Sequence, residues 1–94
     1  MIITAVKLKG RAEKRQEIIQ TIRGLADQVR KSKGCLGADC YQDISDRNIF
    51  YHVQEWQSRE DLDNFMDSKL FSVMLGSKTI LAETPQVDYM NRDR

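Results

Sequence analysis

The chain is 94 residues long, which is enough for one small domain. Its 15 Lys and Arg residues against 14 Asp and Glu leave a formal net charge of +1, so neither nucleic acid nor anionic lipid is favoured as a partner. No apolar run approaches the ~20 residues that span a bilayer, and the N-terminus lacks the features of a signal peptide. We predict one cytoplasmic domain over residues 1–94 that binds neither nucleic acid nor a membrane.

The first two elements are a strand and a long amphipathic helix. Alternating, β-branched residues predict a strand over Ile2–Lys9, which ends at Gly10. From Glu13 to Lys31 the apolar residues recur every three or four positions, which is typical of a helix with one buried face. Gly34 suits the left-handed residue that commonly follows a helix.

A hairpin follows the helix. Cys35–Asp43 and Ile49–Trp56 have strand character, and the turn-forming residues of Ile44–Asn48 connect them. Cys35 and Cys40 lie five positions apart in one strand, so strict alternation predicts that they face opposite sides and remain free thiols.

The second half of the chain reads as a helix, a break and a final strand. Ser58 followed by Asp61 is typical of a capping box, and the apolar residues after it predict a helix. An apolar run ending before Gly76 predicts another short helix after a break near Ser68. The last strand is predicted over Ile80–Met90, at an edge or interrupted at Pro85, because proline cannot donate a ladder hydrogen bond. A polar tail, 91–94, ends the chain.

The order strand, helix, strand, strand, helix, strand predicts an α+β fold of the ferredoxin-like βαββαβ type. Such a fold has a four-stranded antiparallel sheet with both helices on one face. The other face is left open, and its apolar residues predict that two subunits pack sheet to sheet as a homodimer.

Four segments together resemble the antibiotic biosynthesis monooxygenase family, part of the dimeric α/β-barrel superfamily. They are GCLGADCYQD at 34–43, QEW at the end of the third strand, SREDL at 58–62 and MDSKLF at 66–71. The resemblance implies a homodimer with a pocket in each subunit between the sheet and its helices. It also implies a small aromatic or quinol-type substrate, oxidised without a cofactor.

Residue by residue, the resemblance is incomplete. Trp56 stands where the family has a Trp that lines the pocket in its oxygenase members. Nine residues later many members have His, but this chain has Phe65, and the family's Glu two positions before the Trp is Gln54. The Asn that haem-degrading members use in the first strand is also missing. Because a helix His is the expected iron ligand, haem degradation is disfavoured, and we predict no cofactor and no metal site.

The remaining polar groups predict a site on the third strand. Residues 52, 54 and 56 share one strand face, and His52 is the sole histidine of the chain. With a pKa near 6.5 it can act as a base toward a phenol or quinol, next to Trp56. These two are the predicted catalytic residues. The predicted substrate-binding residues are Gln54, Phe65, Met66 and Tyr41.

Two functions remain open from the sequence. One is a cofactor-independent monooxygenase with the site just described, and the other is a non-catalytic dimer of the same fold that binds a small ligand or serves as a stress-related module. The departures at Phe65 and Gln54 favour the second function, in which His52 and Trp56 are structural and Tyr41 is a packing residue. A closed interior would favour the second function, and a pocket touching His52 and Trp56 the first.

Overall fold

The computed structural model describes residues 1–75 and 81–91, without the side chains of residues 74 and 75. The predicted stop at residues 76 and 77, the start of the last strand at residue 80 and the tail residues 92–94 lie outside the described residues. A short 3₁₀ turn leads into the first helix. The elements are β1 (Ile2–Lys9), α1 (Arg15–Arg30), β2 (Cys35–Gln42), β3 (Ile49–Trp56), α2 (Arg59–Met66), α3 (Lys69–Leu75) and β4 (Gln86–Asn91).

The four strands form an antiparallel sheet in the order β2-β3-β1-β4. This order, with the helices packed on one side, confirms the predicted ferredoxin-like α+β fold. Buried and partly exposed residues alternate strictly along β3, as expected for a strand with one covered face. We call that side the helix face; its buried β1 and β3 residues are Thr4, Val6, Leu8, Phe50, His52, Gln54 and Trp56.

The opposite side of the sheet carries no helix among the described residues, and we call it the open face. It includes Ile3, Ala5, Lys7, Tyr51, Val53 and Glu55, which are all partly exposed. Among the described helices none is long and apolar enough to span a lipid bilayer.

The helix α1 covers the sheet with the stripe that its sequence predicts. Its buried residues lie on one helix face, and each fully buried aliphatic side chain stabilises the fold by roughly 1.5–3 kcal/mol. They are Ile18, Ile22, Leu25, Ala26 and Val29. The helix lies mainly against β2, so it shields the strand that neighbours β3.

Gly34 connects α1 to β2 in the left-handed conformation that the sequence predicts, with φ +80°. Its carbonyl oxygen accepts a 2.8 Å hydrogen bond from the backbone N–H of Gln57, which joins this turn to the end of β3. A Cβ at this position would overlap the Asp61 carboxyl group. The glycine therefore serves both the turn and the close approach of α2.

The two cysteines face the same side of the sheet, so the prediction of opposite faces is wrong. A β-bulge directly after Cys35 adds one residue to β2 and shifts its alternation by one. Cys35 pairs with Trp56 and Cys40 pairs with His52, which places both thiols on the helix face. Both are free, and the Cys40 thiol lies 3.4 Å from the carbonyl oxygen of Ile22, to which it donates. Burial raises the pKa of Cys40 to about 11.

The break between α2 and α3 falls where the sequence predicts it, at Ser68. Its hydroxyl donates to the carbonyl oxygen of Phe65 at 2.5 Å and accepts from the backbone N–H of Phe71 at 3.3 Å. One serine thus closes α2 and starts α3. Both phenylalanines point into the core.

The last strand is shorter than predicted. β4 begins at Gln86, immediately after Pro85, and it is an edge strand as the proline indicates. Before the proline, Leu81 makes only an isolated bridge with Gly10. The proline therefore sets the start of the strand and does not interrupt it.

Candidate active site

The strand β3 directs His52, Gln54 and Trp56 to the helix face, as their shared parity predicts. All three side chains are 0 % exposed. Buried His and Gln side chains are uncommon in a core of this size, because a polar group removed from water needs hydrogen-bond partners. The partners of these residues therefore decide what the site can do.

A hydrogen-bond chain connects the three side chains. The indole Nε1–H of Trp56 donates to Oε1 of Gln54 at 3.1 Å. The amide Nε2 of Gln54 lies 3.0 Å from Nδ1 of His52. We refer to this arrangement as the Trp56–Gln54–His52 chain. It satisfies the indole and both ends of the amide, and it leaves the second ring nitrogen of His52 for another partner.

Two buried polar atoms have no hydrogen-bond partner among the described residues: Nε2 of His52 and Oγ1 of Thr4. Thr4 is 0 % exposed and pairs with Gln54 across β1 and β3. A buried donor or acceptor without a partner costs roughly 1–3 kcal/mol. Thr4 was not among the predicted site residues, although it shares the inward-facing parity of Val6 in β1, which was the available signal.

His52 is neutral at physiological pH. Burial lowers its pKa to about 4, the positive charge of Arg30 acts in the same direction, and the negative charge of Asp39 opposes them. The lowered pKa agrees with the direction expected for a histidine in a dry interior. The imidazole therefore carries one proton, on either Nδ1 or Nε2.

Aromatic rings fill the space next to Trp56. Phe65 of α2 stacks on the indole with ring centroids 5.0 Å apart and an angle of 30° between the rings. Phe71 of α3 packs edge-on against Phe65 at 5.4 Å. The resemblance implies a pocket between the sheet and its helices, but at this point Trp56 and Phe65 are in contact, because stacking buries both apolar surfaces.

Met66, the other predicted helix residue, is half-buried and packs against the edge of the core. Its sulfur accepts a 3.3 Å hydrogen bond from the hydroxyl group of Tyr89 in β4. This contact turns Met66 toward the β4 side of the molecule.

Tyr41 lies away from the Trp56–Gln54–His52 chain, and its role as a substrate-binding residue stays a prediction. It pairs with Tyr51 of β3, and residues 51 and 52 point to opposite sides of the sheet. Its side chain is 55 % exposed. Tyr41 lines a hollow of about 260 Å³ on the open face together with Val53 and Glu55.

A second hollow, of about 110 Å³, lies between α1 and β2. Ile22, Cys40 and Phe50 contribute to its wall, and Cys40 is the cross-strand partner of His52. His52 itself does not line this hollow.

Comparison with known proteins identifies the family. A model of the antibiotic biosynthesis monooxygenase family matches residues 1–75, which is more than half of the chain. The chain belongs to this family. The resemblance seen in the sequence is thereby confirmed, and the match ends at the last residue of α3.

Solved structures similar to this antibiotic biosynthesis monooxygenase family member confirm the fold. A Deinococcus radiodurans protein described as a candidate antibiotic biosynthesis monooxygenase superposes with a TM-score of 0.90, 17% identity and coverage of 100% of this chain and 94% of its own. PA3566 from Pseudomonas aeruginosa superposes with a TM-score of 0.83, 20% identity and coverage of 99% and 94%. At such identities the likeness concerns the fold alone.

A curated relative of this family member is the uncharacterized protein sll1783 of Synechocystis. It is 26% identical over 70 residues, which cover 74% of this chain and 48% of the relative. The matched part thus spans about half the length of that relative.

Proposed function

We propose that this protein oxidises a small aromatic or quinol-type substrate with dioxygen, without a cofactor, at the helix face of β3. The observation that supports the proposal is His52: a buried, neutral imidazole whose Nε2 has no partner among the described residues. A polar atom that is kept dry and unpartnered, at the far end of the hydrogen-bond chain from Trp56, is suited to bind an oxygen atom of an aromatic ligand.

The oxidation requires few protein groups. A phenol activates a ring CH₂ group toward dioxygen; one oxygen atom becomes the new carbonyl, and the other leaves as water with the two hydrogens. The net change is CH₂ plus O₂ to C=O plus H₂O, which balances without an external reductant. His52 orients the phenol oxygen, and the Trp56 indole provides an apolar surface for the ring.

Entry to this site requires a side chain to move, because His52, Gln54 and Trp56 are fully buried. We propose that the ring of Phe65 leaves the indole when the substrate binds. The substrate ring then takes the stacking position that Phe65 occupies, with its centroid 5.0 Å from that of the indole. Exchanging one aromatic contact for another keeps the cost of opening low.

A second candidate function is supported by the same closed interior. The stacked contact of Trp56 with Phe65 and the buried hydrogen-bond chain are also what a purely structural core contains. In that case the protein is a non-catalytic module that binds a small ligand elsewhere, and His52 contributes only to packing.

Oxygen uptake distinguishes the two functions. Purified protein is screened with quinols and phenolic polyketides, and uptake is followed for the wild type, His52→Leu and Tyr51→Phe. Tyr51 is the neighbour of His52 on the open face, so Tyr51→Phe is the matched control. We expect uptake that His52→Leu abolishes and Tyr51→Phe retains. Equal uptake by folded His52→Leu would reject the proposed site, and no uptake with any substrate would favour the binding module.

The assembly proposed for this function is a homodimer through the open face. Its apolar residues Ile3, Val53 and Tyr51 are covered by no helix among the described residues. A sheet with one bare apolar face is poorly protected in a domain of this size. A cytoplasmic location stays a prediction.

A further inference from the structure

Trp56 fixes the orientation of the Gln54 amide group. An indole N–H can only donate, so the Gln54 atom 3.1 Å from Nε1 must be the amide oxygen. The amide NH₂ group then points the other way, to Nδ1 of His52 at 3.0 Å. Reversing the amide would set an N–H against the indole N–H. The orientation therefore follows from the chemistry of the neighbour and not from a choice between oxygen and nitrogen.

The amide in turn fixes the tautomer of His52. An amide NH₂ group only donates, so Nδ1 must offer its lone pair. A neutral imidazole has a single N–H, and His52 is neutral at physiological pH. Its proton therefore lies on Nε2, and this buried N–H has no acceptor among the described residues.

We propose that Gln54, held by Trp56, locks His52 in the tautomer with its proton on Nε2, and that His52 recognises the ligand by donating a hydrogen bond to an acceptor oxygen, a keto carbonyl or a phenolate. This inference rests on the proposed function in one respect, that the ligand reaches His52. The sequence predicted His52 as a base, but a base at Nε2 needs a lone pair there. In this tautomer Nε2 carries the proton, so His52 is a donor. Gln54 is a positioning residue that acts through His52.

Thr4 provides a second buried polar atom on the same face as His52. It pairs with Gln54, while Val6 pairs with His52, so Thr4 is the diagonal neighbour of His52 on the helix face. Its Oγ1 is also buried and without a partner among the described residues. Two neighbouring unpartnered groups, at least one of which is a donor, are suited to a single oxygen with two lone pairs.

A donor at this position agrees with the oxidation proposed above. A phenol that ionises in solution and binds as the phenolate brings the electron-rich form that reacts with dioxygen. The Nε2–H group stabilises its negative oxygen without taking a proton. A keto product keeps an oxygen at the same place, so the same donor also binds the oxidised ring.

The test uses the fact that the chain has one histidine and one tryptophan. Protein labelled with ¹⁵N-histidine gives one pair of imidazole nitrogen signals, and proton–nitrogen correlation spectra identify which nitrogen is protonated. In the ligand-free wild type at neutral pH we expect a single tautomer with the proton on Nε2. A proton on Nδ1, or an even mixture of the two tautomers, would overturn the proposal.

Variants of Gln54 test the lock itself. In Gln54→Glu the carboxylate accepts from both Trp56 and His52, so the imidazole proton should move to Nδ1. The control is Gln57→Glu, which adds the same charge at the exposed residue that directly follows β3. It should leave the tautomer as in the wild type. If Gln54→Glu does not fold, Gln54→Met removes both hydrogen bonds at similar volume. It should shift the Trp56 indole signal and populate both tautomers; an unchanged tautomer would overturn the lock.

The ligand part is tested with α-tetralone, which has a carbonyl oxygen, and tetralin, which has the same rings without it. α-Tetralone should move the His52 Nε2–H signal downfield and tetralin should not. Affinity for α-tetralone should fall about tenfold in Gln54→Glu, as for one lost hydrogen bond. His52→Gln, which keeps an N–H donor, should bind it better than His52→Leu does. No signal shift at millimolar α-tetralone would overturn this part.

The outcomes separate this inference from the proposed function. A proton on Nε2 and a response to α-tetralone, without oxygen uptake, would support the inference and reject the oxidation. Oxygen uptake that requires His52, together with a proton on Nδ1, would support the oxidation and reject the inference.

Discussion

The cost of burying His52 makes the stability of the protein depend on pH. The pKa of His52 is about 4 in the folded chain and 6.5 when the residue is solvated. Between these values the unfolded chain binds a proton that the folded chain does not. Buried neutral His52 therefore does not reduce the stability of the folded chain above pH 6.5. The free energy of unfolding decreases as the pH falls from 6.5 toward 4.

We predict that this single group lowers the free energy of unfolding by about 2.5 kcal/mol between pH 7 and pH 4.5. The measurement is urea unfolding of the wild type and of His52→Leu at both pH values. Carboxylates titrate equally in the two proteins, so the difference between their pH dependences isolates His52. Parallel pH dependences would show that His52 is solvated and would contradict its burial.

For single residues, the sequence predicted correctly which side chains share a sheet face, because strand alternation alone determines this. The parity of β3 placed His52, Gln54 and Trp56 on the helix face, and all three lie there. It did not reveal the hydrogen bonds among them, because distances between side chains on one face depend on rotamers. It also assigned no face to Tyr41, because the sequence does not encode which side of β2 meets the helices once a bulge has shifted its alternation.

At the scale of elements, the turn from α1 into β2 depends on one glycine. Ala at residue 34 would have to adopt φ +80° and would overlap the Asp61 carboxyl group. We predict that Gly34→Ala lowers the free energy of unfolding by at least about 1 kcal/mol.

The matched control is Gly24→Ala in the exposed part of α1, where an added Cβ meets nothing within 4 Å. It should raise stability by roughly 0.5–1 kcal/mol, because alanine loses less backbone entropy in a helix. Urea unfolding gives both values. A Gly34→Ala protein as stable as the wild type would contradict the conformation assigned to this turn.

The start of α2 depends on Ser58, whose Oγ accepts a 3.2 Å hydrogen bond from the backbone N–H of Asp61. We predict that Ser58→Ala costs about 1 kcal/mol, the usual value for losing an N-cap. Ser72→Ala, at an exposed position inside α3, should be neutral or slightly stabilising. Equal unfolding midpoints for the two variants would show that the cap contributes nothing.

Sequence patterns located these elements well because each has a local cause. The serine cap, the glycine after α1 and the proline before β4 all act within a few residues. The bulge at Cys35 has no such signal: it arises from how β2 pairs with β3, which is a contact between distant parts of the chain. A single inserted residue was enough to bring two cysteines predicted on opposite faces to the same face.

At the scale of the whole molecule, the order of elements was sufficient to predict the fold. One helix connects the first two strands and another connects the last two. Few topologies allow both helices to pack on the same face of one sheet. The sequence pattern of one chain shows that the open face is apolar. It does not show which second chain covers that face, because this depends on contacts between two chains.

The charges of the open face suggest how two copies meet. Lys7 and Lys9 lie toward one end of β1, and Glu55 pairs with Ile3 at the other end. Two copies packed antiparallel would bring the lysines of one against the acidic end of the other. The apolar centre at Val53 and its partner Ala5 would meet across the two-fold axis.

We predict that the wild type is a dimer at micromolar concentration, and that Val53→Glu is a monomer of 10.9 kDa. The new carboxylate would be buried in the dimer beside Asp39, which pairs with Val53, and an unpaired buried charge strongly opposes association. Light scattering measures the mass, and the fluorescence of Trp56, buried on the other face, reports whether the subunit is still folded. Gln20→Glu on the exposed side of α1 adds the same charge away from the sheet and should remain dimeric. A wild-type monomer, or a Val53→Glu dimer, would show that the open face is not the interface.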